Sequence, residues 1–224
     1  RQVAALPTAA APTLKFKDGA TTFSVDPFGG FDWQSNATAI VKDTNFIGNT
    51  ITTSYLASAE AIKKAGGGNA PGLSGLGTAY EFTIKATIFE TAVCQIFNVG
   101  AGVCEQAKFT ATGGSFEIFY DQVANSNILT GAGFIDGTKI ISGTIDAGSA
   151  GTFNLDIDGS NNVIGGFGSF KFAATALVTE TSSAKDAYFA PALASSNATS
   201  TLQFGNSLTD WTPPSSWIDG DGIP

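Results

Sequence analysis

The chain has no histidine, no methionine, one arginine (Arg1) and two cysteines among its 224 residues. Each scarcity removes a chemistry. Without imidazole there is no Ser-His-Asp or Cys-His relay, and no zinc site that requires a histidine ligand. Two thiols are too few for a cysteine-only metal site. Charged residues make up 13% of the chain, about half the usual quarter, and the formal net charge is −8. The scattered lysines build no basic patch, so nucleic acid is not an expected partner. No apolar run approaches the roughly 18–20 residues that span a bilayer, and no membrane span is expected. The missing methionine leads us to expect a processed N-terminus.

What is present is a β-framework. Hydrophobic residues reach 43%, with 18 phenylalanines. In 80–90 (YEFTIKATIFE), Tyr80, Phe82, Ile84, Ala86 and Ile88 share one parity, and Glu81, Thr83, Lys85 and Thr87 the other. A period of two is the mark of a strand with one buried and one wet face. Residues 113–121 (GGSFEIFYD) repeat it with Phe116, Ile118 and Tyr120 inward, and Phe119 breaks the pattern. Between them Cys94 and Cys104 enclose a glycine-bearing loop. We read two antiparallel core strands joined by a connection that a Cys94–Cys104 disulfide pins. Closing so short a loop is worth about 3 kcal/mol in the chain-entropy model, and the bond implies an oxidising compartment.

Further strands follow the same signals. Residues 14–19 and 21–25 read as a hairpin or bulged strand around a turn at 17–20, and 31–33 (FDW) as an aromatic anchor. Residues 36–47 form a weak strand. Residues 50–62 favour strand over helix, with Ile51, Tyr55, Ala57, Ala59 and Ala61 on one parity. Residues 66–77 and 122–133 are glycine-rich loops. Strands follow at 139–145, 153–157, 167–181, 187–193 and 200–204. Many short strands without convincing helices argue for an all-β fold, an antiparallel β-sandwich or jelly-roll-like domain with few or no helices. The expected organisation is an extended N-terminal arm over 1–13, one β-sandwich domain over 14–212, and a C-terminal tail over 213–224 rich in proline and glycine.

Chemistry-bearing candidates are few. Glu81, Glu90, Glu117 and Asp121 lie on the central strands, and a glycosidase needs two acids about 5–10 Å apart. Glu81 and Glu117 sit on the polar parity, where solvent exposure is the ordinary explanation. Asp156, Asp158, Asp219 and Asp221 resemble fragments of calcium loops without the further oxygen ligands of a complete one. The alternative there is a turn in which aspartate accepts local backbone bonds. No cofactor is expected beyond that calcium option. Asn36 and Asn197 open glycosylation-type triplets. The segment carrying Leu14, Phe16, Phe23 and Val25 is the candidate assembly strand. An alternating N-terminal segment can add itself to a neighbour's sheet edge, and head-to-tail addition grows a filament.

These pieces resemble the flocculation-associated PEP-CTERM secreted proteins of Gram-negative bacteria. The resemblance is carried by FDW at 31–33, LSGLGTAYEFTIKAT at 73–87, GGSFEIFYD at 113–121, GAGFIDG at 131–137 and TLQFG at 201–205. It implies export, a C-terminal sorting signal removed at the cell surface, and a role in holding cells within exopolysaccharide flocs. It supplies no catalytic residues, and the chain ends at 219–224 (DGDGIP) without a Pro-Glu-Pro motif. The expectation is an extracellular, non-enzymatic matrix protein of flocs or biofilm that self-assembles into filaments. The alternative is an exopolysaccharide-binding module using Trp33, Tyr188, Trp211 or Trp217.

Overall fold

The computed structural model describes residues 2–3, 11–34, 38–42, 50–178, 188–190 and 196–204. The fold is all-β and antiparallel, with no helix among the described residues. The first strands are β1 (Gln2–Val3), β2 (Thr13–Asp18), β3 (Thr21–Val25), β4 (Phe28–Trp33), β5 (Thr38–Lys42) and β6 (Thr50–Lys64). The central pair is β7 (Glu81–Asn98) and β8 (Val103–Asp121). Then come β9 (Thr138–Ile145), β10 (Ala150–Ile157), β11 (Val163–Val178), β12 (Phe189–Ala190) and β13 (Ser196–Phe204). Ten strands form one sheet, in the order β1-β4-β6-β7-β8-β10-β11-β13 with β5 and β9 alongside, and β12-β2-β3 form a second.

The register reduces the large sheet to a meander. β4 and β5 lie end to end along β6, and β9 and β10 lie end to end between β8 and β11. Each pair is therefore one long strand broken in the middle. At the second break Gly148 N donates to the Ala111 carbonyl, and Ala111 N donates to the Ser149 carbonyl. Near it β8 crosses β7 closely. A β-carbon at Gly114, whose φ is +139°, would stand 2.1 Å from the Thr87 carbonyl oxygen. The register of β8 against β7 also shifts here, Phe89 facing Gly113 and Glu90 facing Ala111, and such a bulge increases local twist. The sheet curls until β1 lies beside β13.

The small sheet packs against the apolar face of this curl. Tyr80, Phe82, Ile84, Ala86 and Ile88 are all buried, as their alternation requires, and share one core with Leu14, Phe16, Val25, Phe28, Phe31, Trp33 and Phe189. Phe16 is central. Its ring centroid lies 5.3 Å from Phe23, 5.1 Å from Tyr80, 5.1 Å from Phe82 and 5.4 Å from Tyr120. Trp33 is 1% exposed and stacks on Phe31 at 5.2 Å.

One inward position differs from the alternation. Across β4 and β6 the register shifts, Asp32 facing Ala61 and Trp33 facing Ala59. The extra residue, Glu60, moves Ile62 rather than Ala61 into the core. The residues 50–62 are strand throughout. Part of the expected N-terminal arm is tied to the sheet, because Gln2 and Val3 pair with Trp33 and Asp32 and the Pro12 carbonyl accepts from Phe28 N. The expected tail at 213–224 lies outside the described residues.

Candidate functional site

The β7–β8 hairpin outruns β6. β6 pairs with β7 only from Ser58 opposite Thr83 to Thr50 opposite Thr91. From residue 92 to 98, β7 has β8 on one side and no described strand on the other. This arm carries the disulfide expected from sequence: Cys94 and Cys104 are bonded, with Cα atoms 5.7 Å apart. Its turn is closed by Gly102 N donating to the Asn98 carbonyl and Ala101 N donating to Asn98 Oδ1. The β10–β11 turn abuts it, since a β-carbon at Gly100 would meet Asn161 Oδ1 at 2.7 Å.

Large apolar side chains are exposed here. Phe89, Val93, Ile96, Phe97 and Val99 on the β7 side, and Val163, Ile164 and Phe167 on the β11 side, are 45–86% exposed. Ile96, Gln106, Asn154 and Phe167 form one cross-strand row. Within it Gln106 Nε2 donates to Asn154 Oδ1 at 2.7 Å, so an amide pair is flanked by exposed Ile96 and Phe167. Residues 91–104 contain no charged side chain. An uncharged edge that faces no described strand and bears β-branched and aromatic residues is a template for pairing with another strand. Sequence reading placed the disulfide here but missed the arm; its one available signal was that uncharged run.

The candidate assembly strand sits differently from expectation. Leu14, Phe16 and Val25 are buried in the chain's own core and Phe23 is half-buried. They belong to the β2–β3 hairpin, with Leu14 opposite Val25 and Phe16 opposite Phe23, and Leu14 also pairs with Phe189 of β12. The Tyr120 hydroxyl donates to the Lys17 carbonyl near the turn. In this chain the segment fills its own sheet rather than standing free.

The acids are separated by task. Glu81 is not solvated: it is 3% exposed, and its carboxylate accepts from Asn125 N, Ser126 N and the Ser126 hydroxyl. Residues 122–137 fold over the outer face of the sheet, bringing Phe134 onto Leu56 and its carbonyl onto the Thr83 hydroxyl at 2.6 Å. Glu117 pairs with Lys139 at 2.6 Å, both partly exposed. Asp121 accepts from Val123 N. Glu90 lies on the core face, accepts a 2.5 Å bond from Thr53, and has its carboxyl pushed upward by burial against that bond's opposing effect. Asp32 and Lys63 form a buried ion pair at 3.0 Å.

The stretch at Asp156 and Asp158 gathers no further ligands among the described residues, where no group of three or more acidic or sulfur side chains is placed to hold a metal. Asp156 is exposed. Asp158 caps its own turn, accepting from Ser160 N and Asn162 N, and these bonds, that of Asn162 foremost, hold its carboxyl below the ordinary range. Asp219, Asp221, Trp211, Trp217 and Asn36 lie outside the described residues. Asn197 falls in β13, opposite Thr175. Tyr188 packs partly against the core, 5.8 Å from Tyr120.

No protein-family model, no curated protein and no solved structure matches this chain.

Proposed function

We propose that this chain is a secreted, non-enzymatic structural protein of an extracellular bacterial matrix, and that it self-associates. The observation that carries the reading is the β7–β8 arm, whose edge from 92 to 98 faces no described strand and which exposes Val93, Ile96 and Phe97. For a chain of net charge −8, an uncharged stretch is where a second copy approaches with least repulsion. Backbone hydrogen bonds along the edge supply attraction without sequence-specific pockets. The Cys94–Cys104 bond supports export to an oxidising compartment. Donation of the segment bearing Leu14, Phe16, Phe23 and Val25 to a neighbour belongs to the same reading, as an exchange of hairpins between copies.

The engaged state of the carboxylates supports a non-enzymatic role, since Glu81, Glu117 and Asp121 each already hold protein partners. The saccharide-binding alternative through Trp33 has that ring's burial against it.

Sedimentation velocity and electron microscopy of the purified chain over a concentration series test the proposal. Assembly is expected in the wild type, and loss of it in Ile96→Lys, which places a charge on the open edge. A wild type that stays monomeric throughout would overturn the proposal, and a folded Ile96→Lys that assembles equally well would overturn the arm as its route.

A further inference from the structure

Between the sheet's outer face and residues 122–137 lies a pocket of ≈ 150 Å³ whose lining includes Gln34, Ser58, Glu81, Ser126, Ile128 and Phe134. A cavity of about that volume accepts one six-membered ring. Its polarity follows from where the hydroxyl protons must go. An ionised carboxylate only accepts, so the Ser126 hydroxyl donates to Glu81 Oε2. That hydrogen is then committed, and Ser126 Oγ must accept in its 2.7 Å contact with Ser58. Ser58 therefore gives up its hydrogen too. Every proton in the chain Ser58→Ser126→Glu81 points toward the acid, leaving lone pairs at Ser58 Oγ and Glu81 Oε2.

Among the described residues Glu81 is held by neutral donors alone: two backbone N–H groups and one hydroxyl. Among the described residues no lysine pairs with it. This contrasts with Asp32 and Glu117, each of which has a lysine beside it. The Gln34 carboxamide lines the same pocket, and its backbone N–H bonds the Ser58 carbonyl at 2.8 Å. Phe134 and Ile128 supply apolar lining.

We propose that this pocket is a binding site for a small protonated amine on a polar body no larger than one ring. The ammonium would meet Glu81 Oε2 and Ser58 Oγ, and Gln34 would read a neighbouring hydroxyl. The inference is independent of the assembly reading, because it uses no residue of the arm.

Amide NMR titration of the full chain with glucosamine, glucose and ethanolamine at neutral pH provides the test. Glucosamine is expected to shift Gln34, Ser58 and Ser126 saturably, with glucose at least tenfold weaker, since bonds to charged partners are about twice as strong as neutral ones. Ethanolamine should bind more weakly than glucosamine, lacking the ring. Glu81→Gln should abolish the preference for the amine over glucose. Because Glu81 also anchors residues 122–137, Gln34→Ala serves as a second variant: it keeps the carboxylate, and should weaken glucosamine and ethanolamine alike, since both carry a hydroxyl beside the amine, while the preference for glucosamine over glucose remains. No saturable shift, equal affinity for glucose and glucosamine, or shifts confined to another region would each overturn the proposal.

Discussion

Removing the disulfide should separate the arm from the body it projects from. The bond encloses residues 95–103, and in the chain-entropy model its loss from so short a loop costs about 3 kcal/mol. How that cost is distributed depends on what else holds the arm. Beyond Gln106, β8 pairs with β7 alone among the described strands, because β10 pairs with it from Gln106 to Thr110, and the β10–β11 turn touches the tip at Gly100. Ile96, Phe97 and Val99 are 49%, 51% and 86% exposed, so burial adds little. A two-stranded ribbon of this kind is marginal in water. Replacing Cys94 and Cys104 by alanine should therefore let the tip open while the body stays folded. By hydrogen exchange, amides at 94–105 should lose about two decades of protection, since each 1.4 kcal/mol is tenfold. Amides at 82–88 and 116–120 should lose less, because an arm already open in the native ensemble no longer contributes its full share to global unfolding. Self-association should fall with the arm. If arm and core amides lose protection by the same factor, the arm is part of one cooperative unit and this reasoning fails.

Two further outcomes follow from burial. Phe16→Ala should cost roughly 3–5 kcal/mol, on the order of 10 °C in melting temperature for a chain of this size. Phe23→Ala, at a half-buried position, should cost clearly less, and thermal melts will distinguish them. Glu90→Gln should flatten the dependence of stability on pH. The folded carboxyl is raised by burial, so its contribution is fully present below the unfolded value of about 4.3 and is lost as pH rises through the folded value. The melting temperature of the wild type should thus fall more steeply from pH 4 to 7 than that of the variant, and equal slopes would contradict the assignment.

The strands were legible because burial on one face writes itself as alternation. Residues 80–88 bury the side chains that their parity selects. What covers the other face was not legible in the same way. Glu81 does lie opposite the core, as its parity demands, yet it is buried because residues 122–137 return across that face. The covering segment comes some forty positions later and has no periodicity of its own. Phe119, the one large apolar residue on the polar parity of 113–121, was the local trace of a covered surface, and it is 7% exposed. The shift at Glu60 was invisible for a related reason. A bulge is defined by the partner strand, and alternation within one segment does not report where the neighbour skips a residue.

The two routes to assembly differ in what must break first. Freeing the hairpin of β2 and β3 exposes Leu14, Phe16 and Val25, each worth roughly 2 kcal/mol of burial, and removes the pairing of Leu14 with Phe189. A neighbour that offers the same groove restores those contacts without adding new ones. Such an exchange is close to neutral overall and slow to begin, because the core aromatics must separate before anything is gained. The edge of β7 demands no such opening. Its backbone groups from 92 to 98 face no described strand, and Val93, Ile96 and Phe97 are already about half in water, so pairing there adds contacts from the first collision. The two predict opposite responses to a covalent lock. Tying the hairpin to the body with a disulfide between Leu14→Cys and Phe189→Cys should abolish assembly by exchange and spare assembly through the arm. The paired register of these positions makes them suitable for the link. Filaments that vanish under the lock and return on its selective reduction would assign the work to the hairpin.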